Sequence, residues 1–264
     1  MNGSESLTLF CSDSQYREKA VIWRVFSFLP LYAPLAEGRI WRWFAVNIPM
    51  DLGTGTGGTF TRDIDIIAKL HDFPRSKEWL YRTWEVKVNL LCKDGSARSI
   101  KIGKLKKMMA QLKDYKAFGA PSISLLDIYL CEAGFMARNS FPPPALNRSI
   151  KAKLPELNRN RFGYQLLPFE HGVDENGDFG LLTMGPARNS FNPSFTLLRA
   201  VSSSPRQPFL QLTDALDKFF ESQNHSRKSF EQIVFCRNCR RLQLISMKNN
   251  CECPTCQSDL IIQS

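Results

Sequence analysis

Trp84-Glu85-Val86-Lys87-Val88-Asn89-Leu90 decides how this chain is read, together with Arg62-Asp63-Ile64-Asp65-Ile66-Ile67-Ala68 upstream of it. In the later stretch Trp84, Val86, Val88 and Leu90 alternate with Glu85, Lys87 and Asn89. In the earlier one Ile64, Ile66 and Ala68 alternate with the two aspartates. Successive side chains of a strand point to opposite faces, so a period of two predicts two strands, each with an apolar and a polar face. Residues 71–79, which contain Pro74, suit a loop between them, and Lys93-Asp94-Gly95-Ser96 suits the turn of a further hairpin.

Working outward, residues 103–118 are predicted to form a helix with Leu105, Met108, Met109 and Leu112 facing a core, ended by Gly119-Ala120-Pro121. Residues 124–131 are a largely apolar run that suits a buried strand. The order strand, strand, helix, strand implies an α/β core with a central mixed sheet flanked by helices. Upstream, residues 15–29 read as an amphipathic helix stopped by Pro30. Residues 40–48 fit a short strand or a helix, and residues 51–61, rich in Gly and Thr, a loop. Downstream, residues 141–144 (Phe-Pro-Pro-Pro) suit a loop or linker, 174–178 a hairpin turn and 212–222 a short amphipathic helix. Arg148, Lys151, Lys153, Arg159 and Arg161 recur in a stretch, 137–229, that has no evident role.

The chain has 264 residues with 43% hydrophobic content, enough for one large domain with a small appendage. Lys and Arg number 35 against 25 Asp and Glu, a formal net charge of +10, which suits a polyanionic partner such as nucleic acid. The first residues lack a basic n-region, and the apolar stretch 21–31 is short and interrupted by Arg24, so neither a signal peptide nor a membrane span is expected. Five of the 8 cysteines crowd into residues 236–256, and Cys11, Cys92 and Cys131 are scattered. That is not a secreted disulfide framework, and a reducing cytoplasm fits it better.

Two carboxylates and a lysine form the minimum set for metal-assisted cutting of a phosphodiester. A divalent cation polarises the phosphate and activates water, and magnesium is usually held by one or two carboxylates with water and substrate filling the remaining positions. Asp65 and Glu85 are the candidate magnesium or manganese ligands if their strands are neighbours. Asp63, on the face of Asp65, is either a second ligand or a solvated neighbour of Arg62. Lys87 shares the face of Glu85 and can orient water or stabilise developing charge. On the helix that follows, Gln111 and Tyr115 lie one turn apart on one face. Lys104, Lys106, Lys107, Lys113 and Lys116 suit a phosphate backbone or a solvated helix face. Gly53-Thr-Gly55-Thr-Gly-Gly58 matches a dinucleotide-binding pattern by letter only, because a strand and not a helix follows it. His71, His171 and His225 do not form a metal-binding pattern and read as surface or loop residues.

Asp65, followed by Glu85-x-Lys87, resembles the active-site signature of the PD-(D/E)xK nuclease superfamily, and Gln111-x-x-x-Tyr115 resembles the motif of its RecB-like branch. The resemblance spans residues 59–133, about a quarter to a third of the chain. It implies a restriction-endonuclease-like fold with the acids and lysine on adjacent strands, and residues Gln111 and Tyr115 beside the catalytic set. Ile64 stands where the family name has a proline. Some members use a further acid from the first helix, for which Glu18 and Glu37 are the candidates. The implied activity is a metal-dependent nuclease acting on DNA, in microbial defence against foreign DNA or in DNA repair. A different class remains open: a nucleic-acid-binding or assembly subunit that has the nuclease fold and is inactive or latent alone.

Near the C-terminus, Cys236-Arg-Asn-Cys239 and Cys253-Pro-Thr-Cys256 are two Cys-x-x-Cys knuckles whose spacing fits a tetrahedral four-cysteine zinc site. Cys251 is the alternative to Cys253, which has the better spacing. The segment resembles a zinc ribbon, expected as a separate domain over residues 230–264 after a nuclease-like domain over residues 1–229. It is too short for a core of its own, so the metal must supply its folding energy. Arg237, Arg240 and Arg241 suit phosphate contacts. A purely structural ribbon, or one that docks a protein partner, fits equally, and residues 137–229 are the other candidate surface for such a partner.

Overall fold

The structure, a computed structural model, describes residues 22, 40–52, 62–71, 79–91, 97–99, 105–132, 142–173, 179–183, 195–223, 231–246 and 252–258. The readings made for residues 15–29, for most of 51–61, for Lys93 to Ser96, for residues 174–178 and for Cys251 lie outside these. The strands are β1 (Ile40–Pro49), β2 (Asp63–His71), β3 (Trp79–Leu91), β4 (Ala97–Ser99), β5 (Ile123–Glu132), β6 (Gly163–Val173), β7 (Phe179–Thr183), β8 (Phe195–Leu198), β9 (Glu231–Cys236) and β10 (Arg241–Ser246). The helices are α1 (Leu105–Phe118), α2 (Pro144–Arg159) and α3 (Gln207–Ser222). The strand order is β10-β9-β1-β2-β3-β5-β6-β7, with β4 paired to β3 and β8 to β6. Strand β1 is antiparallel to β2 and parallel to β9, so the expected α/β architecture with a mixed sheet is what forms.

The chain divides into two compact units that interleave along the sequence. One comprises Phe26–Glu85, Ala110–Ser124 and Val201–Ser264, the other Met1–Val25, Val86–Met109 and Leu125–Ala200. The boundary expected at residues 229/230 therefore falls inside one unit. The cysteine-bearing hairpin β9–β10 joins the sheet through β1, with Ala45 opposite Ile233 and Val46 opposite Val234. A parallel pairing so distant in sequence leaves no local signal, which is why the ribbon reads as a separate domain.

In the first unit Phe209 of α3 packs edge-on against Tyr81 of β3 and Phe118 of α1, with ring centroids 5.6 and 6.3 Å apart. Ile64, Ile66, Ile67, Ala68 and Leu70 of β2 are all fully buried, as are Ala45, Val46 and Ile48 of β1. Burial on both faces erases the alternation of β1, so its sequence cannot distinguish strand from helix. His71 and Trp79, read as loop ends, are strand residues with ring centroids 4.9 Å apart. Helix α3 starts earlier than expected because Pro208 suits a first helical turn. It buries Phe209, Leu212 and Leu216 and presents Asp217, which accepts from Lys69 Nζ at 2.5 Å and Trp43 Nε1 at 2.7 Å. Of the α1 residues in this unit, Leu112, Tyr115 and Phe118 are buried; of those in the other unit, Met108 and Met109 are buried, whereas Leu105, expected in the core, is 37% exposed in the first turn. Gly119 ends α1 at φ +101°, where a Cβ would lie 2.6 Å from Cβ of Arg206, so only glycine fits.

In the other unit, residues 142–144 of the expected linker are not a simple linker: Pro144 opens α2, with Pro143 at its N-cap position, and Phe141 lies outside the described residues. Leu146, Ile150 and Leu157 form the buried stripe of α2, and most of the basic residues between 148 and 161 lie on its exposed faces. Lys153 is the exception. It donates at 2.5 Å to Oδ2 of Asp127, a fully buried aspartate on β5 that also accepts from Tyr164 at 2.5 Å. Burial and the Asp127 charge push the Tyr164 and Tyr129 hydroxyls well above their ordinary range.

Candidate active site and metal centre

Strands β2 and β3 are antiparallel neighbours whose register runs from His71 opposite Trp79 to Ile66 opposite Trp84. Asp65 and Glu85 are the chain neighbours of Ile66 and Trp84, the last of these pairs. The condition that their strands be adjacent is thus met. Asn47 of β1 lies between the pairs Val46–Ile66 and Ile48–Ile64, so it faces Asp65 from the other side, with a left-handed φ of +53°. A positive φ inside a strand is unusual, and asparagine is among the residues that tolerate it best. This neighbour of Asp65 has no signal in the sequence.

Glu85 is on the polar side of β3, but that side is not solvated: α1 covers it and Glu85 is 1% exposed. The cover comes from Tyr115, whose position follows from the apolar stripe of α1. The Tyr115 hydroxyl donates to Oε2 of Glu85 at 2.6 Å and lies 3.1 Å from the carbonyl oxygen of Asp63, while its oxygen accepts from the backbone N–H of Asp65 at 3.2 Å. One phenol therefore joins the Glu85 carboxylate to the β2 backbone that carries Asp65. Burial, with the Glu85 and Asp65 carboxylates close by, pushes Tyr115 well above the ordinary range of a phenol. It stays protonated, and so remains a donor, throughout the range in which proteins work.

Gln111, one turn earlier on α1, is half-buried and is not brought into this network. Lys87 lies two residues beyond Glu85 on β3, in the other unit, and its Nζ donates to the carbonyl of Val86 at 2.9 Å. Asp63 is not a solvated neighbour of Arg62. Arg62 pairs with Asp114 of α1 at 3.1 Å, and the Asp63 carboxylate accepts from Nη2 of Arg237, in the first cysteine knuckle. Among the lysines expected to face phosphate, Lys106, Lys107, Lys113 and Lys116 are exposed along α1.

The loss of the Tyr115 hydroxyl alone has a measurable cost. Tyr115→Phe removes the hydroxyl that bonds the buried Glu85 carboxylate and the Asp65 backbone N–H, and is expected to destabilise the chain by about 1–3 kcal/mol in urea unfolding. An unchanged midpoint would show that the network contributes nothing. The raised pKa values of Tyr115, Tyr129 and Tyr164 also fix an alkaline limit. Unfolded phenols ionise near pH 10, whereas these three ionise higher in the fold. Their contribution is complete below about pH 10 and is lost as the pH rises above it, because only the unfolded chain releases the protons. Absorbance titration of phenolate should show these residues ionising only as far-UV dichroism collapses.

The second site lies at the end of β9. The sulfurs of Cys236, Cys239, Cys253 and Cys256 all lie within 4.8 Å of one another, with Cys236–Cys256 at 3.6 Å and Cys239–Cys253 at 3.8 Å. Four thiolates about 2.3 Å from a tetrahedral zinc stand about 3.8 Å apart, so the four can hold a metal ion such as zinc. The hydroxyl of Ser258, 2.8 Å from the Cys256 sulfur, holds that thiol down to about 6, in the range where it is a thiolate ready to bind metal. Cys236 is the last residue of β9, so a metal here anchors the strand that extends the sheet from β1. No helix among the described residues is long and apolar enough to cross a membrane. Comparison with family models, with curated proteins and with solved structures finds no match for this chain.

Proposed function

We propose that the protein is a metal-dependent nuclease of the PD-(D/E)xK type, with a restriction-endonuclease-like core, that hydrolyses phosphodiester bonds of DNA in the cytoplasm. The observation that carries this reading is the Tyr115 hydroxyl, which bonds both the Glu85 carboxylate on β3 and the backbone N–H of Asp65 on the neighbouring strand β2. Hard oxygen donors on adjacent strands suit magnesium or manganese. Such a metal, when bound, polarises the phosphate and makes water a nucleophile near neutral pH.

The chain's own residues supply position and charge. Tyr115 fixes the Glu85 carboxylate by donating to one oxygen, so its orientation is set before substrate arrives. Asp65 is held through its backbone N–H by the same hydroxyl. The family resemblance assigns to Lys87 the cation that steadies an attacking oxygen or a developing negative charge. The Lys87 ammonium must leave the Val86 carbonyl to do so. The four cysteines hold a structural zinc, and Gln111, at the mouth of the helix face, contacts substrate or its neighbours. A role against foreign DNA rests on the family resemblance alone.

A second reading, a nucleic-acid-binding subunit latent on its own, draws support from the engaged state of two site groups: Lys87 on Val86 and Asp63 on Arg237. Incubating the purified chain with single-stranded, duplex and plasmid DNA and with RNA separates the two. The nuclease reading expects cleavage with magnesium or manganese and none without them. Binding without cleavage under every condition would favour the latent subunit.

A further inference from the structure

We propose that the cavity beside the first cysteine knuckle is a phosphate subsite for a nucleic-acid strand, in which Arg237 passes from the Asp63 carboxylate to a backbone phosphate. The cavity has a volume of about 420 Å³ and is walled by Pro49 at the end of β1 and Leu52 after it, Asp63 at the start of β2, Phe235 of β9, and Arg237 and Arg240 of the turn that follows β9. Its size is in the range of sites for small ligands and admits a phosphate with its sugar.

Three features point to phosphate. The two guanidinium groups come from one Cys-x-x-Cys turn, whose conformation a bound metal would fix. Arg240 sits there at a left-handed φ of +54°. The planar fork of arginine matches phosphate oxygens better than any other side chain does. The ion pair that a phosphate would displace is open on the arginine side: the Arg237 side chain is 47% exposed and that of Asp63 16%, so solvent screens the guanidinium. A phosphate that offers two oxygens to the fork competes with the Asp63 carboxylate for it. Asp51, also on the wall, disfavours a ligand carrying much negative charge, so one diester charge at a time fits better than a cluster of phosphates.

The location gives the subsite a task, and here the inference rests on the proposed nuclease reading. Asp63 and Asp65 share one side of β2, about 7 Å apart along the strand, comparable with the step between neighbouring phosphates of an extended strand. A strand anchored at Arg237 therefore presents its next phosphate to Asp65 and Glu85. Asp63, once released, adds an oxygen donor beside Asp65 only when substrate is in place.

The test uses the full chain with its metal content verified, and a short fluorescent single-stranded oligonucleotide titrated without magnesium or manganese across a salt series. Arg240→Asn keeps a residue that tolerates the left-handed turn. The double variant Arg237→Ala/Arg240→Asn is expected to bind at least about tenfold more weakly. Its slope of log affinity against log salt should be shallower by about 1.4, the loss of two single-strand phosphate contacts. Arg159→Ala, an exposed arginine of α2, removes one charge elsewhere and should change binding less than about twofold. Asp63→Asn removes the competing carboxylate from Arg237 and should tighten binding several-fold, a direction that damage to the fold does not produce. An unchanged slope in the double variant, equal losses in Arg159→Ala, no tightening in Asp63→Asn, or no binding by the parent chain overturns the subsite. Loss of cleavage in every metal with these binding effects intact would remove the nuclease reading and leave the subsite standing. Nucleoside monophosphate and inorganic phosphate serve as competitors: displacement by either at micromolar concentration would assign the cavity to a free phosphate and overturn the strand-binding proposal.

Discussion

Serine in place of Cys253, or removal of the metal by a strong chelator, is expected to detach the β9–β10 hairpin from β1 and to disorder the Arg237–Asp63 contact. The hairpin buries few apolar side chains: Ile233, Val234, Cys236 and Ile245 among the described residues. Structural zinc sites of this kind contribute on the order of 10 kcal/mol of apparent binding energy at neutral pH, which in so small an element is folding energy. Cys253 is almost fully buried beside Cys239, so serine there loses the thiolate and leaves a hydroxyl in its place. The consequence reaches beyond the knuckle because β9 pairs with β1 at Ala45 and Val46, and β1 in turn backs the strand that carries Asp65. Hydrogen exchange should accelerate by orders of magnitude in 231–246 and measurably at residues 45 and 46. Metal analysis of the parent chain should find about one zinc. Freshly purified, reduced protein without metal but with a protected hairpin would contradict this account of the site.

Glu85→Gln is expected to abolish phosphodiester cleavage, by at least about a thousandfold in kcat, while the chain remains folded. Removing one electrostatic partner of a reacting centre typically costs that much, and a metal ligand serves the water and the phosphate together. Folding should survive because the glutamine carbonyl can accept from the Tyr115 hydroxyl as Oε2 does now at 2.6 Å. Neutralising a 1% exposed carboxylate also removes a desolvation cost. Under the proposed nuclease reading, Lys87→Ala, at a half-buried position, should lower kcat with little effect on binding, because a charge that acts only on the transition state leaves binding unchanged. Cleavage that persists in both variants would place the activity elsewhere.

Which parts of this structure were legible in the sequence follows from whether the two faces of an element meet different surroundings. Strands β2 and β3 are legible because acids and a lysine alternate with apolar residues in 63–66 and 84–88, even though Ile66 to Leu70 and Thr83 to Val86 are buried on both faces, and α1 shows its stripe because lysines cover the rest. Strand β1 is hidden because both of its faces are buried. Helix α2 is hidden behind three successive prolines that read as a linker, although proline is a natural first helical residue. Asp127 was in plain view as the single acid in an apolar run, and only its burial with Lys153 and Tyr164 gives it weight. Tyr115 was legible as a motif residue, but its bond to Glu85 and to the β2 backbone was not. The Arg237–Asp63 pair joins residues 174 positions apart, and Asn47 reaches Asp65 only through sheet register. Neither leaves a trace in local pattern, so the ribbon read as an appendage when its hairpin is part of the sheet.

Cleavage of duplex and single-stranded DNA by the parent chain and by Glu85→Gln, assayed side by side with magnesium, with manganese and with neither, tests the central claim most directly. The account predicts cleavage by the parent chain that requires the divalent ion, and none by Glu85→Gln of equal thermal stability. Equal cleavage by both proteins, or cleavage by the parent chain that is indifferent to the divalent ion, would contradict it.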